Sequence, residues 1–132
     1  MNYILDTHTL IWTLFDSTKL SDKVKNIILN PDNDIFVSII SFWEISLKYN
    51  LGKISFKNVL PDELPSYVEK SGFNILNLDS DIVASFHKLP TGNHKDPFDR
   101  LIIWQSIKSE ITLVSKDTHF ENYKKYNLKV IW

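Results

Sequence analysis

No cysteine occurs among the 132 residues, which removes disulfides, thiolate metal ligands and thiol nucleophiles together and fits a reducing compartment, the cytoplasm. Glycine and proline are scarce, at three and five residues, and fall singly where elements should end; no linker, low-complexity tract or internal repeat is present. An excess of either charge is also missing. Fifteen basic against sixteen acidic residues leave a net charge of -1, so no global positive field draws nucleic acid or an anionic membrane, and any polyanion has to be held locally. The longest uncharged apolar-rich run, Ile35 to Trp43, is too short to cross a hydrocarbon layer of roughly 30 Å and contains Ser38 and Ser41. The amino terminus meets Asp6 early and has no basic leader, so neither a secretory signal nor a membrane span is expected.

What is present is the composition of one ordinary globular domain, residues 1–132, with 43% apolar and 23% charged residues. Aromatics reach 13%, which fits core and interface packing. Tyr3-Ile-Leu5, Ile35-Phe-Val37, Phe73 to Leu78 and Ile111 to Val114 are brief, β-rich and bounded by polar residues, as buried strands are. Helical signals fill the intervals: Thr9 to Phe15, Ser21 to Asn30, Ser41 to Leu51 closed by Gly52, Asp62 to Ser71 closed by Gly72, Asp79 to Lys88 and Pro97 to Ser109. Strands this apolar alternating with helices predict a three-layer α/β/α sandwich with a mostly parallel sheet, Lys129 to Trp132 supplying a late edge strand. In such sheets the functional crevice lies beyond the carboxyl ends of the strands.

Four acids fall at those ends. Asp6 follows the first strand, Asp117 lies just past Val114, Glu44 is expected in the first turn of the helix after the second strand, and Asp99 in the first turn of the helix leading into the fourth. Each has a plain structural reading. Ser41-Phe-Trp-Glu44 matches a capping box, Asp99 sits behind an Asp96 cap and an N1 proline, Asp6 suits a strand-end turn, and Asp117 suits a cap for a short terminal helix. Together they call for more, because two carboxylates about 4 Å apart repel by roughly 4 kcal/mol at an effective dielectric of 20. Hard oxygen ligands without His or Cys in the set suit Mg²⁺ or Mn²⁺, and a small acidic cluster of that kind suits phosphodiester hydrolysis.

At these residues the sequence resembles the PIN-domain family, and within it the VapC-like ribonuclease toxins of toxin–antitoxin pairs. The likeness is carried by Ile4-Leu-Asp-Thr-His-Thr-Leu-Ile-Trp12, by Val37 to Lys48 with Leu51-Gly-Lys53, by His94-Lys-Asp-Pro-Phe-Asp-Arg-Leu-Ile-Ile-Trp-Gln105 and by Leu113-Val-Ser-Lys-Asp117, in order along nearly the whole chain. The resemblance implies a Mg²⁺-dependent endoribonuclease whose acidic quartet falls on Asp6, Glu44, Asp99 and Asp117. Asp6 and Asp99 would bind metal most directly, Glu44 would position metal or water, and Asp117 would complete the shell. Ser115 stands where relatives often carry Thr, and Trp104 and Ser106 where small alanines are common. The likeness further implies a cognate antitoxin and a homodimer, with Trp12, Phe15 and Trp43 partly interfacial.

Other residues are weaker candidates. His94 and Arg100 flank the acids and are candidates for contact with a scissile phosphate, as are Ser115 and Lys116, while Arg100 equally suits pairing with a carboxylate. Lys48, Lys53 and Lys57, and Lys116, Lys124, Lys125 and Lys129, form local basic excesses that could hold RNA, or simply solvated faces. Tyr123 and Tyr126 could stack on unpaired bases, although packing is the commoner role. His8 reads as a helix-start residue. Two rival functions stay open: a receiver-type phosphoacceptor using Asp79 and Lys116, and an inactive PIN-like module that binds RNA or protein without turnover.

Overall fold

The sheet is built around the first strand. In the computed structural model, which describes residues 1–132, Tyr3, Ile4 and Leu5 of β1 (Asn2–Leu5) are all buried, as a strand covered on both faces requires. β2 (Asp34–Ser38) and β4 (Thr112–Val114) flank it in parallel, with Leu5 opposite Val37 on one side and Val114 on the other. β3 (Asn74–Leu76) and β5 (Val130–Ile131) form the edges, giving five parallel strands in the order β3-β2-β1-β4-β5. Side chains alternate across the pleat. Tyr3, Leu5, Ile35, Val37 and Val114 face one core with Leu10, Val24, Leu64 and Val68. Ile4 and Leu113 face the other with Ile102, Ile103, Phe120 and Tyr123.

Those two cores define the outer layers. α1 (Thr7–Phe15), α2 (Asp22–Leu29) and α4 (Leu64–Lys70) cover one face; α6 (Pro97–Ser109) and a terminal 3₁₀ helix (Thr118–Tyr126) cover the other, where Trp104 of α6 bonds to α5 (Ser80–Ala84) through the carbonyl of Ile82. α3 (Ile39–Asn50) joins both, with Ile45 in the first core and Ile40 in the second. The three-layer arrangement expected from the alternation of strands and helices is the one found. No helix is long and apolar enough to cross a membrane.

Three local departures bear on the site. α1 begins two residues earlier than its apolar pattern indicated, because Asp6 caps it by accepting from Thr9 N at 2.8 Å. α3 is capped by Ser38, not Ser41, so Glu44 is the sixth helical residue and lies in the second turn; the Ser41–Glu44 capping box does not form. The expected helix from Asp79 to Lys88 breaks into α5 and a short 3₁₀ turn over Phe86–Lys88.

In the order β3-β2-β1-β4-β5 the chain leaves β1 in one direction for β2 and later returns to its other side with β4. The crevice of such a sheet opens between β1 and β4, where the crossovers run to opposite faces. Asp6 and Asp117 follow those two strands.

Candidate active site

Asp6 is fixed from two directions. Its Oδ1 caps α1, while its Oδ2 accepts from the Ser115 hydroxyl at 2.5 Å; Thr9 completes the link between α1 and β4 by donating to Val114 O at 3.2 Å. The carboxylate is 6% exposed, and burial pushes its pKa upward against the opposing hydrogen bonds from Ser115 and Thr9. Ser115 Oγ also accepts from Asp117 N at 3.1 Å, so one small hydroxyl sets the spacing between the acids after β1 and β4.

Glu44 enters from α3 and is 2% exposed. Thr7 donates to its Oε1 at 2.6 Å, and Lys48, one turn further along α3, donates to its Oε2. Ser41 lies 3.0 Å from the Thr7 hydroxyl and continues the chain of polar groups. Asp99 sits at the third position of α6, behind the Asp96 cap, which accepts from Phe98 N at 2.9 Å and Asp99 N at 3.0 Å. Asp117 caps the terminal 3₁₀ helix through His119 N at 2.9 Å.

The acids feel one another. Burial first, and then the charges of Asp96, Glu44, Asp6 and Asp117, push the Asp99 carboxyl from its ordinary 3.8 to about 8. Four carboxylates from separate parts of the chain therefore act on one carboxyl, and the cluster is short of positive charge. Lys48 supplies some: burial pulls its pKa down, but the hydrogen bond and charge of Glu44, with Asp96 and Asp99, outweigh this and raise it. A divalent cation suits what remains, since oxygen donors dominate and one imidazole stands at the edge. His94 Nε2 is 3.3 Å from Asp99 Oδ2, and ligand atoms of His94, Asp99 and Asp117 lie within 4.8 Å of one another. Burial lowers the His94 pKa more than the nearby Asp117 and Asp96 raise it, so at neutral pH this ring keeps a lone pair.

The open side of the cluster is a cleft of about 420 Å³ in which Asp6 and Asp117 meet His8, Trp12, Lys116 and His119. Lys116 lies over the Trp12 ring at 5.9 Å. The cleft is shallow and faces solvent, a shape that admits a chain passing across it.

The sequence matches the family model of the PIN domain over residues 3–126. The chain belongs to the PIN-domain family. Its fold is shared with VapBC2 from Rickettsia felis bound to a promoter DNA fragment, at TM-score 0.71 and 21% identity over 99% of this chain and 98% of that one. VapBC-1 from nontypeable Haemophilus influenzae is similar at TM-score 0.69 and 17% identity, covering 99% and 97% of the two chains. DNA-bound VapBC from Salmonella typhimurium follows at 0.63 and 18%, also over 99% and 97%. No curated protein matches the chain.

Within this PIN domain several residues have roles that differ from the sequence reading. Arg100 is not at the crevice mouth and pairs with no carboxylate. It is 6% exposed, donating to the carbonyls of Leu89 at 3.0 Å, Pro90 at 2.9 Å and Thr91 at 3.3 Å and to the Tyr123 hydroxyl at 3.2 Å. Lys48 turns into the acidic cluster instead of joining a basic surface with Lys53 and Lys57; its spacing four residues after Glu44 was the available signal. Thr7, the partner of Glu44, had no such signal, because the contact spans 37 residues. His8 lies in the first turn of α1, exposed, with its ring 5.8 Å from Trp12. Asp79 follows the edge strand β3 and is exposed, and the strand order is not the 2-1-3-4-5 of receiver-type domains, so the phosphoacceptor reading loses its site.

Proposed function

We propose that this PIN domain is a divalent-cation-dependent endoribonuclease and the toxin of a toxin–antitoxin pair. The observation that carries the proposal is the meeting of acids from separate elements: ligand atoms of His94, Asp99 and Asp117 lie within 4.8 Å of one another, Asp6 and Asp117 line a solvent-open cleft, and the charges of Asp6, Glu44 and Asp117 all bear on Asp99. Acids kept this close against their own repulsion, at the switch point of a parallel sheet, serve a cationic ligand better than they serve stability. Asp6, Glu44, Asp99 and Asp117 would hold Mg²⁺ or Mn²⁺, with His94 at the margin. Such an ion supplies charge neutralisation and Lewis acidity for phosphodiester hydrolysis.

The chain's own groups have definable parts in that chemistry. Ser115 and Thr9 hold Asp6 in one orientation, and Thr7 and Lys48 do the same for Glu44. The neutral His94 ring, tied to Tyr123 Oη at 3.1 Å, can accept or return a proton beside Asp99. Lys116, exposed on the cleft rim, offers a cation to a passing phosphate. RNA is the favoured polymer because a shallow cleft without a long basic stripe suits an unpaired segment better than a duplex.

A protein partner fits the surface as well. Trp43 is 61% exposed on α3, and Leu47 and Leu51 continue the same helix side, while Phe15 and Leu60 are also exposed. We assign this apolar area to the antitoxin and to a second copy of the chain, in keeping with the solved VapBC toxin–antitoxin complexes it resembles. The activity is tested with purified protein on structured RNA, with Mg²⁺ and with EDTA, beside Asp6→Asn and Asp99→Asn. Cleavage that needs both the metal and the two aspartates is the expected result. Metal-free cleavage, or cleavage surviving in Asp99→Asn, rejects the proposal, and a folded protein with metal binding but no turnover moves the assignment to an inactive binding relative.

A further inference from the structure

A second cleft, of about 300 Å³, lies directly behind the acidic one, between the loop Pro90–His94 and the terminal 3₁₀ helix. His119 lines both clefts, and the His94 ring stacks on it at 5.8 Å with an interplanar angle of 20°. Behind that pair of rings the walls are formed by Asn93, Asn122, Lys125 and the half-buried Tyr126. The amide groups of Asn93 and Asn122 make no hydrogen bond within the protein, and Lys125 forms no ion pair, its ammonium instead lying 5.3 Å from the Tyr126 ring.

The cleft is rigidly built. Arg100, buried beneath it, holds three successive loop carbonyls, those of Leu89, Pro90 and Thr91, and at the same time the hydroxyl of Tyr123 in the 3₁₀ helix. One guanidinium therefore fixes the distance between the two walls, and the loop reverses through Gly92 at φ +54. A buried cation engaged in this way orders the cleft before any ligand arrives, which lowers the entropy lost on binding.

We infer that this cleft receives one unpaired nucleobase adjoining the phosphate that lies at the acidic cluster, and that Tyr126, Asn122 and Asn93 set the base preference of cleavage. The inference rests on the nuclease reading above and deepens it. Ring faces on His119 and Tyr126 offer stacking, free amide edges offer the paired donor and acceptor that read a base, and Lys125 offers a charge for the flanking phosphate. An apolar peptide side chain is a poorer occupant, because only two of the ten lining residues are hydrophobic. The volume lies at the lower limit of ligand pockets, which suits a single nucleotide and excludes a base pair.

The test is cleavage of an RNA hairpin library with a randomised loop, in Mg²⁺, with the cut ends sequenced, for wild type, Asn122→Ala, Tyr126→Ala and Tyr126→Phe. Wild type is expected to favour particular bases at one position beside the cut. Asn122→Ala flattens that preference, and Tyr126→Ala lowers kcat/KM on the preferred loop by about 5- to 150-fold, the range equivalent to stacking one base. Tyr126→Phe keeps the ring and retains most of the activity; thermal unfolding of each variant confirms that the fold is intact. A wild-type preference left unchanged in both alanine variants, or no preference at any position near the cut, overturns the inference while leaving the nuclease standing. Failure of wild type to cleave any RNA refutes the nuclease reading itself, and this inference with it. Loss of antitoxin binding in the variants with base preference intact assigns the cleft to a protein and also overturns it.

Discussion

Replacing Asp99 by Asn isolates the electrostatic cost of the acidic cluster. A carboxyl whose folded pKa lies above its unfolded value keeps a proton that the unfolded chain has already released, so stability falls as pH rises between the two. For Asp99 that window runs from 3.8 to about 8. At 1.36 kcal/mol per tenfold the ceiling is about 6 kcal/mol, and because a quarter of the side chain is open to water, screening reduces the effect to about 2–3 kcal/mol. Asn carries no such proton. In EDTA, wild type is expected to lose about 2–3 kcal/mol between about pH 5 and pH 8 relative to Asp99→Asn, so that the variant is the more stable protein at pH 8. Mg²⁺ at about one hundred times its Kd returns about 2.7 kcal/mol to wild type and far less to the variant. Urea denaturation of both proteins at the two pH values, with and without Mg²⁺, measures every quantity in this comparison; titrating groups outside the acidic cluster cancel in the difference, and the part that remains belongs to Asp99 together with the acids coupled to it. An Asp99→Asn protein that is less stable than wild type at pH 8 without metal would refute the reasoning.

Three further outcomes follow from named contacts. Lys48→Gln leaves the buried Glu44 short of its cation, so metal-free protein should lose about 1–3 kcal/mol; an unchanged urea midpoint contradicts the role given to Lys48. Arg100→Lys keeps a charge but cannot bridge three carbonyls and a tyrosine hydroxyl, and a destabilisation of about 2–4 kcal/mol is expected, with faster amide exchange in residues 91–94; exchange matching wild type argues that the loop is held by other means. Ser115→Ala removes the hydroxyl that joins Asp6 to Asp117, and should weaken Mg²⁺ binding about 10- to 100-fold in a calorimetric titration while costing about 1–3 kcal/mol of stability; undiminished Mg²⁺ affinity would show that Asp6 needs no such orientation.

Much of the architecture was written in local patterns. Tyr3-Ile-Leu5 and Leu113-Val114 are apolar on both faces because they sit in the middle of a parallel sheet with helices on both sides. Asp96 and Pro97 announced α6 and thereby the place of Asp99. Glu44 was harder. Ser41 looked like a cap, but Ser38 ends β2 within the sheet and caps α3 first, which moves Glu44 into the second turn. The position of Arg100 was not legible at all, since the carbonyls it holds belong to an irregular loop that no periodicity describes. The same is true of Thr7 with Glu44 and Ser115 with Asp6, whose partners lie 37 and 109 residues away.

Asp6 and Asp117 do two jobs, since each begins a helix with the same carboxylate that faces the cleft. Glu44 and Asp99 begin none. Descendants of this chain that abandon catalysis would therefore keep the first pair under selection for folding alone, while the second pair drifts. The decay of activity in such a lineage would be written on α3 and α6 first, and a surviving Asp6 would be poor testimony that a homologue still cuts anything.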